Sequence, residues 1–338
     1  MILDKFIGVF SNDMAIDLGT ANTIVSVKGK GIIINEPSVV AVQRDKVGKD
    51  KILAVGQEAK RMLGKTPINI QAVRPMQDGV IADFEMTERM IRYFIEKAHS
   101  RKSFIRPRVI ICIPYGITQV ERKAVEESAL SAGAREVFLV EEPMAAAIGA
   151  GIPVSDPEGH VVVDIGGGTT EIGVTSLGGL VLCKSVKVGG DKIDRSIIEY
   201  VRQNYNLFIG ERTAETVKIE VGAAIKLDPE LKIQIKGKDH SGYLSTIELG
   251  SEGIRIAIKE PLKEIASAIR SVLENMPPDL AGDVVDNGII ITGGGALIRG
   301  LDKYLTEIVK IPVRIADEPL LSVAYGTSQV LDEPGLLK

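Results

Sequence analysis

Two short stretches of the chain place the same residue types in nearly the same order. Asp17-Leu18-Gly19-Thr20-Ala21-Asn22-Thr23 and Asp164-Ile165-Gly166-Gly167-Gly168-Thr169-Thr170 each follow an apolar run, Met14-Ala15-Ile16 in one case and Val161-Val162-Val163 in the other. Each reads as a β-strand delivering an Asp into a Gly/Thr-rich turn, with β-branched sequence returning as in a hairpin. Glycine tolerates positive φ and leaves backbone N–H groups uncovered, so such turns form concave nests for anions. The Asp heading each turn repels a phosphate, yet it suits a hydrated Mg²⁺ that touches the phosphate in its place. One copy alone would suggest an ordinary tight hairpin with Asp as a turn former. Duplication suggests two related halves clamping one nucleotide.

The rest of the chain must supply the scaffold for such turns. With 338 residues it exceeds the size at which one core keeps growing, so two domains are expected. Hydrophobic residues make up 45% and charged residues 25%, the balance of a soluble globular protein. A net charge of −4 and the absence of Trp give neither bulk attraction to nucleic acid nor a base-stacking platform. Cys112 and Cys183 sit in apolar strand-like runs and read as buried small hydrophobes in a reducing compartment. His99, His160 and His240 stand apart from each other and from the cysteines, which argues against a metal cluster. No apolar run approaches the ~18 residues that span a bilayer, so a cytosolic protein is expected.

Strands are expected at 24–27, 31–34 and 39–42, with Asn35-Glu36-Pro37-Ser38 breaking the sheet between them. Residues 57–63 read as a helix followed by Gly64. Met86, Met90, Ile91, Phe94 and Ile95 mark an amphipathic helix over 85–98. A buried strand at 109–113, a helix at 119–132, a strand at 137–140 and a helix from Met144 to Gly149 behind Pro143 follow. The Gly/Pro/Asp-rich stretch 149–159 looks like a crossing between halves. Beyond it the scheme repeats, with strands at 161–164, 171–176 and 180–188 and helices near 191–205 and 213–224. An alternating strand at 232–236 and a strong amphipathic helix at 261–276 come next. The strand Ile289-Ile290-Ile291-Thr292 then runs into Gly293-Gly294-Gly295 and a helix from about Leu297. This mixture over two half-chains indicates an α/β protein with two similar domains.

Five motifs now point to one family. DLGTANT (17–23), VEEPMAAAIGAG (140–151), DIGGGTTE (164–171), GERTAETVKIEVG (210–222) and ITGGGALIRGLD (291–302) are similar, in order and spacing, to MreB. That family comprises bacterial actin-like cytoskeletal proteins of the actin, heat-shock chaperone and sugar-kinase superfamily. NEPSVVA (35–41), RPMQDGVIADF (74–84) and ADEPLLSVAYG (316–326) extend the resemblance to essentially the whole chain, with 229–253 least distinctive.

The resemblance implies an actin-like ATPase fold, two similar domains, each with two subdomains, around a nucleotide cleft. Domain I would hold residues 11–150 and 320–338, with its small subdomain at about 36–72. Domain II would hold 151–319, with its small subdomain at about 189–250. ATP or ADP with Mg²⁺ would be the cofactor, and Asp17 and Asp164 would order the Mg²⁺ through water. Thr20, Ala21 and Asn22 would donate to the phosphates from one domain, and Gly166, Gly167 and Gly168 from the other. Gly294, Gly295, Ala296 and Leu297, between a buried strand and a helix start, would approach the diphosphate. Ala214, Glu215, Thr216, Val217 and Lys218 would lie beside ribose and adenine, although spacing alone also allows an exposed Glu215–Lys218 ion pair. Glu142, assisted by Thr169, would align the hydrolytic water of a slow ATPase coupled to polymerisation. Read from its position alone, Glu142 caps the helix that begins at Pro143.

Met1 to Phe10 precedes the first core strand. On a helix, Ile2, Leu3, Phe6, Ile7, Val9 and Phe10 occupy an arc of about 160°, with Asp4, Lys5 and Gly8 opposite. This suits an interfacial membrane anchor or a helix packed on its own domain; charges within the run disfavour a signal peptide. Burying the six side chains gains roughly 9–18 kcal/mol at most, and ordering the segment costs a similar amount. One copy should therefore anchor weakly and a filament firmly. Phe104 and Ile105, set among Arg101, Lys102 and Arg106, suit an anionic bilayer or a loop tucked onto its own core.

The resemblance implies a self-associating protein of paired protofilaments, and with the apolar arc it suggests a place on the cytoplasmic membrane surface. By resemblance its partners are membrane proteins of the cell-elongation and wall-synthesis machinery, and its task is rod shape. The alternative is a small-molecule kinase of the same superfold, which needs a substrate pocket and an Asp base and leaves the anchor without purpose. A chaperone-type ATPase would need a peptide-binding domain, for which no room is expected.

Overall fold

A computed structural model of the protein describes residues 13–44, 50–99 and 106–336; the expected helix over 1–10 and the Phe104–Ile105 loop lie outside the described residues. The chain divides into two units, Met1–Asp156 with Leu177–Gly179 and Leu321–Lys338, and Pro157–Ser176 with Leu180–Leu320.

The first unit carries β1 (Met14–Leu18), β2 (Asn22–Val27), β3 (Gly31–Pro37), β4 (Val40–Arg44), β5 (Asp50–Val55), β6 (Ile70–Val73), β7 (Met76–Gln77), β8 (Val80–Ile81), β9 (Arg108–Ile113) and β10 (Glu136–Glu141). Its helices are α1 (Gln57–Met62), α2 (Phe84–Ala98), α3 (Gln119–Ser131) and α4 (Glu142–Gly149). Residues after 156 form β11 (His160–Ile165), β12 (Thr170–Ser176), β13 (Gly179–Val186), β14 (Leu207–Phe208), β15 (Lys232–Asp239), β16 (Leu244–Gly250), β17 (Ile289–Thr292) and β18 (Val313–Ile315). With them come α5 (Gly190–Tyr205), α6 (Glu211–Val221), α7 (Ser251–Ala257), α8 (Lys259–Asn275), α9 (Pro278–Asn287) and α10 (Leu301–Val309); α11 (Ser322–Asp332) belongs to the first unit.

The five-stranded sheet of the first unit runs β10-β9-β1-β2-β3, and the other five-stranded sheet runs β18-β17-β11-β12-β13. The Asp-bearing strand is the middle one in each, parallel to one neighbour and antiparallel to the other. Register repeats as well. Asp17 lies opposite Ile24 and Cys112, and Asp164 opposite Glu171 and Thr292. Each unit also has a three-stranded sheet, β5-β4-β6 in the first and β14-β15-β16 in the second.

Local chemistry explains these elements. Every residue of β11 and β17 is buried, the condition under which a strand reads as a near-continuous apolar run. Helix α2 starts where the Asp83 carboxylate accepts the Met86 N–H at 3.0 Å, and it buries Met86, Met90, Ile91, Phe94 and Ile95. Helix α3 opens with a reciprocal Thr118–Glu121 capping box. Helix α8 turns Leu262, Ile265, Ala266, Ile269 and Val272 into the core of the second unit.

Three expectations need correction. Asn35-Glu36-Pro37 does not break the sheet, because β3 continues through Pro37 opposite Asn22. The strand is at the sheet edge, where the missing Pro N–H costs no ladder bond. No helix begins at Leu297. Gly294–Leu297 is one 3₁₀ turn, and α10 waits until Leu301 because Gly293 and Gly300 take φ of 79° and 70°. Finally, Cys112 is buried but Cys183 only partly so.

Helix α4, which begins with Glu142, is pinned against α11 by two glycines. A Cβ on Gly149 would lie 1.7 Å from the Ser322 carbonyl oxygen, and one on Gly326 1.8 Å from that of Ala145. Gly326→Ala is therefore expected to cost about 3 kcal/mol or more in urea unfolding. Gly335→Ala, with nothing within 4 Å of the added carbon, should be neutral by the same measurement. Equal midpoints for the two variants would show that the helices part freely.

Candidate functional site

In the second unit the Asp164 turn is fastened from three sides. Gly166 N–H donates to Thr169 O at 2.9 Å and so closes the hairpin, which removes that N–H from the expected phosphate donors. The carbonyls of Gly166 and Gly167 accept from Gly190 N–H at 3.0 Å and Asp191 N–H at 2.8 Å, at the start of α5. In a planar trans peptide C=O and N–H point in opposite directions, so the N–H groups of Gly167 and Gly168 face away from α5. A Cβ at Gly189 would lie 2.6 Å from Gly167 O, so only glycine permits this approach. The buried Thr170 hydroxyl donates to Val188 O at 2.6 Å.

Asp164 is 6% exposed, and its Oδ1 accepts from the Thr292 hydroxyl at 2.8 Å. Burial pushes its carboxyl up to about 6, while the Thr292 bond opposes that rise. Among the described residues no cation is among the groups that shift it. A desolvated hard oxygen donor is what a Mg²⁺ ion and its waters would complete. Among the described residues no three His, Cys, Asp or Glu side chains are grouped to hold a metal.

In the first unit Asp17 is partly exposed and heads the equivalent turn, with Thr20 buried and Ala21 and Asn22 exposed. Glu142 is the first residue of α4 and is 8% exposed. The N-cap position belongs to Glu141, which makes no side-chain cap and whose carboxylate lies 3.6 Å from Arg122. Glu142 therefore sits one residue inside the N-cap, in the first turn of α4, where a carboxylate still suits the helix dipole.

Helix α6 splits the expected nucleoside segment by face. Ala214 and Val217 are fully buried in the core, whereas Glu215, Thr216 and Lys218 lie on the open side. The Lys218 ion pair is made with Asp194 of α5 at 2.9 Å, not through the spacing to Glu215, and its Nζ also donates to Gly190 O at 3.2 Å. Burial pushes Asp194 up to about 6, opposed by Lys218 and reinforced by Glu215 and Asp191. At the 3₁₀ turn, Ala296 is buried and Gly295 packs so closely on Ile165 that a Cβ would sit 2.2 Å from its side chain. Gly294 and Leu297 are exposed. The exposed pair and the backbone, not an α-helix N-terminus, are what this segment offers a diphosphate.

A sequence model of the MreB/Mbl protein family matches residues 11–338. The chain belongs to the MreB/Mbl family. It is 55% identical over 335 residues to the cell shape-determining protein MreB of Escherichia coli K12, covering 98% of this chain and 96% of that protein. To the cell shape-determining protein Mbl of Bacillus subtilis it is 50% identical over 325 residues, covering 96% and 97%. The crystal structure of Spiroplasma citri MreB5 bound to AMPPNP superposes with a TM-score of 0.89 at 38% identity, covering 96% of each chain. The fold is therefore the actin-like α/β fold of the MreB family.

Sequence reasoning missed Thr292 as the partner of Asp164, Asp194 as the partner of Lys218, and Gly189-Gly190 as the seat of the Asp164 turn. Only the last left a signal, a Gly-Gly pair directly before an amphipathic helix.

Proposed function

We propose that this MreB/Mbl protein binds ATP or ADP with Mg²⁺, hydrolyses ATP slowly as it polymerises, and forms membrane-associated filaments that organise wall synthesis. What carries the reading is one Asp-headed turn repeated at one register on two sheets of one strand order. The AMPPNP-bound relative supports the nucleotide, and the cell shape-determining relatives support the cellular role. Thr20, Ala21 and Asn22, with the N–H groups of Gly167 and Gly168, would hold the phosphates. Asp17 and Asp164 would hold Mg²⁺, which supplies charge neutralisation at the transferring phosphoryl group. Glu142 and Thr169 would orient the attacking water, and Glu215 and Lys218 would meet the nucleoside.

Membrane association would come from the apolar arc of residues 2–10 and from Phe104 and Ile105. Electron microscopy and co-sedimentation with anionic liposomes test the whole reading. With Mg²⁺-ATP the full chain should form filaments on liposomes. The chain starting at residue 11 should lose liposome binding about tenfold or more while still binding nucleotide. Filaments that form without nucleotide and calorimetry that detects no Mg²⁺-ATP binding would reject the proposal. Tight liposome binding by a verified monomer would reject the avidity account alone.

A further inference from the structure

The first unit's Asp17 turn is fastened by the hydroxyl and the N–H of one residue, where the second unit uses two backbone amides. Ser38 follows β3, leads into β4, and is fully buried. Its hydroxyl donates to Gly19 O at 2.6 Å, and its N–H donates to Ala21 O at 3.0 Å. A serine hydroxyl has one hydrogen, so the 2.9 Å contact with Thr23 must be a bond donated by Thr23 Oγ1. The hydroxyl network thus runs Thr23 to Ser38 to Gly19. The Gly19–Thr20 and Ala21–Asn22 peptides are trans. With both carbonyls turned toward Ser38, the N–H groups of Thr20 and Asn22 point away from it. The second unit fastens the corresponding turn from the corresponding edge-strand connection, but through two adjacent carbonyls instead of two that are one residue apart. There the residues after β13, Gly190 and Asp191, take the carbonyls of Gly166 and Gly167 and turn out the next two N–H groups.

We infer that Ser38 is a positioning residue, one that aims the Thr20 and Asn22 amides at the nucleotide's phosphates. The inference rests on the proposed nucleotide reading and adds a residue to it. Ser38 touches no phosphate itself. It sets the plane of the peptides that do. Because it also begins the connection to β4, the turn and the first strand of the small sheet share one fastening point.

Calorimetry with Mg²⁺-ADP and competition with adenosine test this in the full-length chain. Ser38→Ala takes from the half-buried Gly19 O and the buried Thr23 hydroxyl their Ser38 partner, and ADP affinity should fall about tenfold. Adenosine affinity should not change, since adenosine has no phosphate to meet the turn. Thr23→Val, which removes only the hydroxyl feeding Ser38, should change ADP affinity by less than about twofold. Should Ser38→Ala fail to fold, Ser38→Cys keeps the size with a weaker donor, and an ADP-specific loss is still expected. Equal losses for ADP and adenosine, or an unchanged ADP affinity in either Ser38 variant, would overturn the inference. A wild-type chain that binds no Mg²⁺-ADP would instead defeat the nucleotide reading beneath it.

Discussion

Asp164→Asn is expected to make the nucleotide-free protein more stable while depriving it of Mg²⁺-ATP. Asp164 has a folded-state pKa of about 6 against 3.8 for the free side chain, because burial disfavours its charge. The folded state therefore holds the proton more tightly than the unfolded state between these values. Stability from this group falls as pH rises through that window, and the penalty is complete above about pH 6. Removing the charge should recover up to about 3 kcal/mol at neutral pH. Asn keeps an acceptor for the Thr292 hydroxyl, so the 2.8 Å bond need not be lost. Melting curves without nucleotide should show the wild type losing stability from about pH 4 to pH 6 and the variant losing less. Mg²⁺-ATP affinity should drop about a hundredfold in the same variant, since the desolvated charge is what the ion would neutralise. Asp17→Asn, at a more exposed position, should lose less affinity and gain less stability. A variant less stable than wild type at neutral pH, or one that binds Mg²⁺-ATP normally, would remove this account of the site.

Glu142→Ala should keep Mg²⁺-ATP binding within about twofold yet slow phosphate release at least tenfold, since orienting a water matters chiefly in the transition state. The structure supplies an internal control next to it. Glu141 ion-pairs with Arg122 at the surface, whereas Glu142 is buried at the first position of α4. Glu141→Ala should leave phosphate release unchanged. Single-turnover phosphate release under polymerising conditions separates the two variants. Equal slowing by both would mean that damage to α4, not loss of one carboxylate, controls the rate.

The sequence by itself determined those parts of the protein that depend on near neighbours. Asp17 and Asp164 could be placed at the ends of strands before Gly/Thr turns because apolar runs and glycines are local signals. The buried face of α2 and the Thr118–Glu121 cap follow from spacings of three and four residues. Where glycines must take positive φ, pattern reading failed, as at Gly293 and Gly300, which delay α10. It also failed at the sheet edge, where topology makes Pro37 harmless.

Tertiary structure alone decided which distant groups serve the turns. Thr292 reaches Asp164 because β17 lies beside β11, and Lys218 reaches Asp194 because α6 packs on α5. Ser38 reaches Gly19 because β3 runs beside β2 in the order that closes the sheet. The physical reason is that a buried polar group must find a partner, and in a folded sheet the partner comes from the neighbouring strand whatever its distance in sequence.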